Sequence, residues 1–395
     1  MLPERIVIVG GGPAGAFAAA ALASGGRNVL LFDEKLVWEK PCGGGLTDKA
    51  LARWPFLRDV AVERNLISDC ELIAPSGAKV HFSLDKQIAI FSRLALNGML
   101  LDRAANSGAT VLRERILHVE RKGNVWLIDS ASAQYETDFL VLATGARNSF
   151  RSVFAPNLGP ENFMVAAGYY IPGTSATVQI KFIKGLHGYI WVFPRANHFS
   201  AGICGRMHGK STAELRRMLE DCLPEFGLSH ESGRFYAHIL PSLTPEALRR
   251  SQICGDRWAM LGDAAGFVDA ITGEGLYYAL RSAEMFSESL LSGLPETYAT
   301  SVRREILPEL ERAARIAKRF YAGDWLGGSV LERMVQLTSS SAKFRQLMRD
   351  LFSGAQEYSD LKQRVYRSLP RIAAEALVST LWKSEADLAA SAATG

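Results

Sequence analysis

The sequence predicts an α/β protein with a discontinuous parallel-sheet domain, an inserted and largely antiparallel β-sheet domain, and a C-terminal helical region. The chain opens with a compact unit of strand, glycine turn, helix and strand. A second glycine-rich segment of similar character follows about 250 residues later, and residues 163–204 between them are rich in short apolar strands broken by Gly and Pro. A chain that returns to its first sheet after such an interval builds that domain from separate segments.

The opening unit is predicted as a strand at Arg5–Val9, a helix at Pro13–Ser24 and a strand at Asn28–Phe32. Further along, the patterns predict a hairpin, two helices and four strands. These are the hairpin at 67–90, turning at 75–77, helices at 92–107 and 212–222, and strands at 110–119, 125–130, 139–143 and 258–261. The apolar run 139–143 is expected to be a buried parallel strand of the first sheet.

We therefore predict three regions. Segments 1–66, 91–158 and 251–295 together form a discontinuous nucleotide-binding domain, segments 67–90 and 159–250 form a substrate-binding β-sheet domain, and residues 296–395 form a helical region.

Composition and charge are those of an ordinary globular protein, with 48% hydrophobic and 22% charged residues among 395 and a formal net charge of +4. So slight an excess of positive charge does not predict nucleic-acid binding. The five cysteines form no CxxC pair and no cluster at metal-ligand spacing, so we expect no metal site and a reducing compartment. No apolar run reaches the length of a membrane span, and we expect a cytoplasmic protein.

A basic helical stretch at 302–320 is open to two interpretations. The commoner structure for such a stretch is a solvated helix face. The alternative is peripheral contact with the inner face of a membrane, through anionic lipid.

The first motif is GxGxxG, formed by Gly10, Gly12 and Gly15 with Ala14 inside it, directly between a predicted strand and helix. This context is typical of a Rossmann-type dinucleotide site, in which backbone amides and the helix N-terminus bind the pyrophosphate. Asp33 ends the second strand, where a carboxylate can accept hydrogen bonds from the ribose hydroxyls. The alternative is an ordinary glycine turn, which the context and the terminal acid disfavour.

The second motif is GDAAG at 262–266 with GEGL at 273–276. Paired with the first motif, it resembles the large flavoprotein group that includes aromatic hydroxylases and geranylgeranyl reductases. The resemblance implies bound FAD, with Asp263 on its ribityl chain and the amides of Gly275 and Leu276 at a helix start that faces the flavin. It also implies Arg93 beside the cofactor, and we add Leu117 to the cofactor set. A glycine-rich loop with a capping Asp is the structural alternative.

Tyr189, Trp191 and Phe193 alternate along GYIWVFP, so on a strand the three rings share one face. By pattern alone they would more commonly be packed in a core. The string YIWVFP, together with PCGGGL at 41–46, is similar to the geranylgeranyl reductase family over about residues 5–295. That resemblance implies a substrate tunnel for an isoprenoid chain along the three rings.

The same resemblance places the loop of Cys42, Gly43 and Gly45 against the flavin ring. Cys42 is then expected to shape the site, although a free cysteine is more often a small buried hydrophobe. The proton donor stays open between Cys42, Tyr189 and a water.

The implied reaction is hydride transfer from reduced FAD to carbon–carbon double bonds of an isoprenoid or similar apolar substrate. The electron donor stays open between NAD(P)H and a reduced protein such as a ferredoxin, because Thr144 stands where hydroxylases of this group carry the aspartate that engages nicotinamide. Two other functions share some of these motifs. One is an FAD-dependent monooxygenase or halogenase, although halogenases carry Trp-x-Trp-x-Ile-Pro at the aromatic strand, and the other is a non-catalytic prenyl-binding carrier.

Overall fold

The computed structural model describes residues 5–392 apart from 60, 208 and 326. The strands of its three larger sheets are β1 (Arg5–Val9), β2 (Asn28–Phe32), β3 (Gly45–Leu46), β4 (Arg64–Ile73), β5 (Lys79–Phe91), β6 (Thr110–Leu112), β7 (Ile116–Lys122), β8 (Val125–Ser130), β9 (Gln134–Thr137), β10 (Phe139–Leu142), β11 (Phe163–Pro172), β12 (Thr177–Phe182), β13 (Tyr189–Pro194), β14 (His198–Arg206), β15 (Arg234–Pro241), β16 (Cys254–Gly255) and β17 (Trp258–Met260). Two short strands, β18 (Asp324–Trp325) and β19 (Gly328–Ser329), pair with each other.

The helices are α1 (Pro13–Ser24), α2 (Asp48–Arg53), α3 (Phe56–Asp59), α4 (Arg93–Asn106), α5 (Arg151–Phe154), α6 (Thr212–Cys222), α7 (Pro245–Arg250), α8 (Leu276–Leu291), α9 (Thr297–Glu305), α10 (Leu307–Ala322), α11 (Val330–Ser340), α12 (Ala342–Ser353) and α13 (Tyr358–Ala392). The predicted helices at 13–24, 92–107 and 212–222 are thus confirmed, the second one residue shorter at each end.

The first layer is a six-stranded sheet in the order β16-β17-β10-β1-β2-β6, parallel except for the edge pair of β16 and β17. The buried strand predicted at 139–143 is confirmed as β10, which pairs in parallel with β1. Helices α4 and α8 pack on α1, whose alanines let the three helices approach closely. Because parallel strands end at one edge, the turns after β1 and β17 lie at the same edge of this sheet, on either side of β10.

The second layer is an eight-stranded sheet in the order β15-β11-β14-β13-β12-β4-β5-β3. All its pairs are antiparallel except β12 with β4, which confirms the predicted second, largely antiparallel sheet. The predicted hairpin at 67–90 is confirmed as β4 and β5, which form part of this sheet. The fold is therefore the mixed α/β architecture expected from the sequence.

One strand prediction was wrong. The sequence pattern indicated a single strand over 110–119, but residues 113–115 leave the sheet between two separate strands. β6 closes the edge of the parallel sheet beside β2, whereas β7 belongs to a small antiparallel sheet with β8 and β9. Each of these two strands buries one face, so apolar residues alternate along both. This pattern does not reveal that the chain moves from one sheet to another between them.

Helices α10 to α13 cover the face of β4, β5 and β12 that is turned away from α6. Leu331, Val335, Phe344 and Leu347 are buried there against residues such as Leu72. Each such side chain contributes about 1.5–3 kcal/mol relative to exposure. Within the described ranges, no helix combines the length and the apolar character that crossing a membrane requires.

Candidate functional site

The turn after β1 is shaped by its three motif glycines. Gly10 has φ +109°, and a Cβ there would lie 2.3 Å from the Ala143 carbonyl oxygen. A Cβ at Gly15 would lie 1.9 Å from the Gly10 oxygen, so both positions require glycine for close packing. A Cβ at Gly12 would meet nothing within 4 Å, and Gly12 lines the central cavity together with Ala14. The turn thus leaves open space directly in front of the N-terminus of α1.

Asp33 holds this turn in place. One carboxylate oxygen accepts a hydrogen bond from the Gly11 amide at 2.7 Å, and the other accepts from the amides of Lys35 and Leu36 at 2.8 and 2.7 Å. Leu117, in β7, has 58% of its surface exposed and does not line the cavity.

Arg93 and Asp263 face the cavity from two elements. Arg93 is 3% exposed at the start of α4, and its Nε and Nη2 donate to Asn97 Oδ1 at 3.2 and 3.1 Å. Asp263 lies in the turn after β17, where it pairs with Lys40 at 3.2 Å. Lys40 was missed in the sequence, because its partner is 223 residues away.

The Cys42 loop is tied to the second sheet. The Cys42 carbonyl oxygen accepts hydrogen bonds from Arg195 Nη2 at 2.7 Å and from Ser200 Oγ at 2.9 Å. Arg195 also pairs with Glu39 at 2.6 Å, and the two side chains are only 1% and 6% exposed. Glu39 in turn accepts from the Arg93 amide at 2.8 Å, at the first residue of α4. One buried ion pair therefore links the Cys42 loop, the end of β13 and the start of α4.

The glycines of this loop allow its close approach to the aromatic strand. A Cβ at Gly43 would lie 2.8 Å from the Phe193 ring, and one at Gly45 would lie 3.3 Å from the same ring. The Cys42 thiol accepts a hydrogen bond from the Gly44 amide at 3.3 Å. Cys42, Gly43 and Gly45 all line the cavity.

The structure brings the three aromatic rings of β13 to one wall of the cavity, as their period-two spacing predicts. Trp191 Nε1 donates to Ser200 Oγ at 3.4 Å, and a Cβ at Gly202 would lie 2.2 Å from the indole ring. The Tyr189 hydroxyl donates to the Thr272 carbonyl oxygen, and burial raises the Tyr189 pKa well above its usual value. Phe193 completes the row next to the Cys42 loop.

The GEG segment leads into α8. Gly275 is the N-cap of this helix, and a Cβ there would lie 3.2 Å from Asp263 Oδ1. Gly275 and Leu276 line the cavity beside Asp263. No side chain caps this helix start, so its amides are directed towards the cavity without a competing acceptor from a capping residue.

These surfaces enclose one continuous cavity of about 430 Å³. Its first end is formed by the glycine turns, Arg93 and Asp263. Past the aromatic wall, the lining becomes apolar and is supplied by the second sheet and the C-terminal helices: Val178, Ile180, Phe182, Ile316, Phe320, Met334, Met348, Leu351, Phe352 and Leu361.

Among the other titratable groups that line this cavity, Glu274 and His238 have strongly shifted pKa values, and neither was found from the sequence. Burial, followed by repulsion from Asp269, raises the Glu274 pKa to about 7. Burial lowers the His238 pKa to about 4, assisted by Lys40, so that the imidazole is neutral at physiological pH. His238 Nε2 is buried with no hydrogen-bond partner among the described residues. No group of three or more His, Cys, Asp or Glu side chains in that part of the chain could hold a metal ion.

Residues 4–162 match the family model described as pyridine nucleotide-disulphide oxidoreductase. The chloroplastic geranylgeranyl diphosphate reductase of Arabidopsis thaliana is 28% identical, over 73% of this chain and 66% of that protein. The menaquinone reductase of Mycolicibacterium smegmatis is 27% identical, over 80% of this chain and 83% of that one.

Two solved structures share the fold. A geranylgeranyl bacteriochlorophyll reductase-like protein from Thermoplasma acidophilum superposes with a TM-score of 0.76 at 19% identity, covering 92% of this chain and 99% of that one. The halogenase PltM, in complex with phloroglucinol and FAD, superposes with a TM-score of 0.63 at 14% identity, covering 94% of this chain and 96% of that one.

Proposed function

Because this chain is an FAD-dependent oxidoreductase related to the geranylgeranyl reductases, we propose that it reduces carbon–carbon double bonds of an isoprenoid or similarly apolar substrate. One observation carries the proposal: the cavity that begins at the glycine turns continues past three aromatic rings into a pocket walled by apolar side chains. A long hydrocarbon chain matches this lining, because its transfer from water into an apolar enclosure is favourable along its whole length.

The residues at the polar end of the cavity fit FAD. The open space at Gly12 faces the N-terminus of α1, where backbone amides and the helix dipole stabilise a pyrophosphate. Arg93, Asp263 and the start of α8 would hold the rest of the cofactor. When bound in its reduced form, FAD supplies a hydride.

The chain itself binds the substrate, orients it and excludes water. Tyr189, Trp191 and Phe193 form an aromatic wall along which a double bond can lie, and Phe182 and Phe352 enclose the chain beyond it. Orientation of this kind converts an encounter into a positioned reaction, and a dry cavity protects the reduced state from side reactions. Cys42 is proposed to shape the part of the site beside Phe193.

For the electron donor we propose either NAD(P)H or a reduced protein such as a ferredoxin. Thr144 supports the second source, because its uncharged hydroxyl replaces the aspartate that engages nicotinamide in related hydroxylases. In the structure the Thr144 hydroxyl is buried with no hydrogen-bond partner among the described residues.

The test is anaerobic incubation of the purified, dithionite-reduced protein with prenyl alcohols, prenyl diphosphates and prenylated quinones, followed by mass spectrometry of the lipids. We expect a gain of one H₂ for each double bond reduced and a yellow protein before reduction. The unreduced protein is the control for background chemistry. Failure to reduce any of these lipids would reject the proposal, and oxygen-dependent hydroxylation or halogenation instead would favour the monooxygenase or halogenase alternative.

A further inference from the structure

Reduction of a double bond requires a proton as well as a hydride, and the buried part of the cavity must supply it. The π electron pair forms one C–H bond with an added proton, while the hydride forms the other, so the acid that gives the proton is left as its conjugate base. Among the acids that line the cavity, Glu274 has the position and the surroundings for this step.

Glu274 lies between the cofactor end and the aromatic wall. On one side, a Cβ at Gly275 would lie 3.2 Å from Asp263 Oδ1. On the other side, a Cβ at Gly273 would lie 3.3 Å from the Tyr189 hydroxyl. The residues on either side of Glu274 therefore contact the cofactor end and the aromatic wall, and Glu274 itself lines the cavity between them.

The loop that carries Glu274 is fixed from several sides. The Asp269 amide donates to the Glu274 carbonyl oxygen at 3.0 Å, and Asp269 Oδ1 accepts from the amides of Ile271 and Thr272 at 2.7 and 2.8 Å. The hydroxyls of Tyr189 and Tyr321 donate to the carbonyl oxygens of Thr272 and Ile271. These hydrogen bonds fix the backbone from which the Glu274 side chain extends.

The carboxyl group itself is weakly bound. Its closest side-chain hydrogen bond in the described part of the chain comes from Thr47 Oγ1 at 3.5 Å. Burial disfavours its negative form most strongly, Asp269 repels that form as well, and Lys49 attracts it. The charged or titratable groups that line the same cavity include Asp269 in its own loop, Lys49 in α2, Tyr189 in β13, Tyr277 and Tyr278 in α8, Glu309 in α10, Glu357 and Tyr358 near the start of α13, and Lys40, Arg93, His238 and Asp263 at the cofactor end.

We propose that Glu274 is the catalytic acid that donates this proton to the substrate carbon. This inference rests on the proposed function. Tyr189 is less suitable, since its proton is donated to the Thr272 carbonyl. After the step, the Glu274 carboxylate takes a proton from solvent, which restores the acid.

The direction of the Glu274 pKa shift predicts how the rate of reduction depends on pH. Burial raises the Glu274 pKa to about 7, so the carboxyl donates below that pH and loses its proton as the pH rises above it. Glu274→Gln, which cannot donate, should lose about a hundredfold or more in the rate of single-turnover reduction by prereduced enzyme. The wild-type rate should fall above about pH 7, and the residual rate of the variant should not follow that fall.

A second measurement does not depend on turnover. Because ionisation of this carboxyl is unfavourable in the folded protein, its stabilising effect is complete below the ordinary glutamate pKa and is lost as pH rises through about 7. The melting temperature of Glu274→Gln, relative to wild type, should therefore rise between pH 5 and pH 8. Glu288→Gln, the same change on the exposed face of α8, should show no such trend and should keep the wild-type rate.

The outcomes separate the two proposals. If the wild-type protein reduces no prenyl substrate, the proposed function fails. If the wild type reduces substrate and Glu274→Gln, with FAD bound to the wild-type extent, reduces it equally fast, the assignment of Glu274 is overturned. An unchanged difference in melting temperature between pH 5 and pH 8 would likewise overturn it.

Discussion

At the scale of single residues, the buried pair of Arg195 and Glu39 is the interaction on which the Cys42 loop most depends. Both side chains are almost fully buried, and each makes a second contact, Arg195 with the Cys42 carbonyl and Glu39 with the first amide of α4. Removal of one partner leaves the other charge buried without compensation.

Arg195→Met is therefore expected to lower the free energy of unfolding by about 3–5 kcal/mol, measured by denaturant titration. The double variant with Glu39→Gln should recover part of this loss, because no uncompensated charge remains. Arg5→Met is the matched control, since the Arg5 pair with Glu136 is 48% and 47% exposed and should contribute about 0–1 kcal/mol. Equal losses for the two single variants would contradict this interpretation.

Cys42 is expected to influence which double bonds are reduced, because its loop lines the cavity next to Phe193. Cys42→Ala should keep FAD bound and should change the ratio of partly to fully reduced products, read by mass spectrometry. Cys222→Ala, at a half-buried cysteine outside the cavity, is the control. An unchanged rate and product ratio in Cys42→Ala would exclude this role.

At the scale of elements, the turn between β1 and α1 contains two kinds of glycine. Some are required for close packing of the turn, whereas Gly12 borders the open space where we propose that FAD binds. Gly12 has φ −70°, which alanine adopts without strain, and its Cβ would enter only open space. Gly12→Ala should leave the unliganded fold intact and should weaken FAD binding at least about tenfold, or 1.4 kcal/mol.

Gly10→Ala should behave in the opposite way, because φ +109° and the Ala143 oxygen at 2.3 Å make a methyl group incompatible with the turn itself. The comparison uses melting temperature without FAD and fluorescence titration with FAD. Normal FAD affinity in a folded Gly12→Ala protein would show that the cofactor does not approach this turn.

The elements were largely predictable, and the side chains that complete the site were only partly so. The glycine motifs and the period-two aromatic strand have local signatures, and the structure brings Gly12, Asp263 and Trp191 to one cavity. Arg195 and Glu39 are 156 residues apart, and no local pattern records their pairing. Glu274 was not identified from the sequence for the same reason. Its raised pKa results from burial and from repulsion by Asp269, and both depend on the tertiary fold.

At the scale of the whole molecule, the C-terminal helices complete the lining of the cavity. Met348 in α12 is 4% exposed and lines the apolar end of the cavity. Met348→Trp should shorten this end, so that reduction of a twenty-carbon prenyl chain slows by about tenfold or more while a ten-carbon chain is unaffected.

Met348→Leu, which conserves volume, is the control and should treat both chains as the wild type does. Product formation is followed by mass spectrometry for the two chain lengths. Equal slowing of both chains by the Trp variant would indicate general overpacking and would argue against a substrate path along α12.

The strand order shows how tightly the two large sheets are interwoven. The backbone passes from the six-stranded to the eight-stranded sheet after β2, returns after β5, crosses again after β10 and returns after β15. A segment that supplies both sheets in turn cannot be exchanged for its counterpart from a relative without importing strands of the other sheet as well. New substrate preferences in such an architecture are therefore expected to arise by replacement of individual side chains along the cavity, and the practical route to altering this protein is point substitution, not the grafting of a whole module.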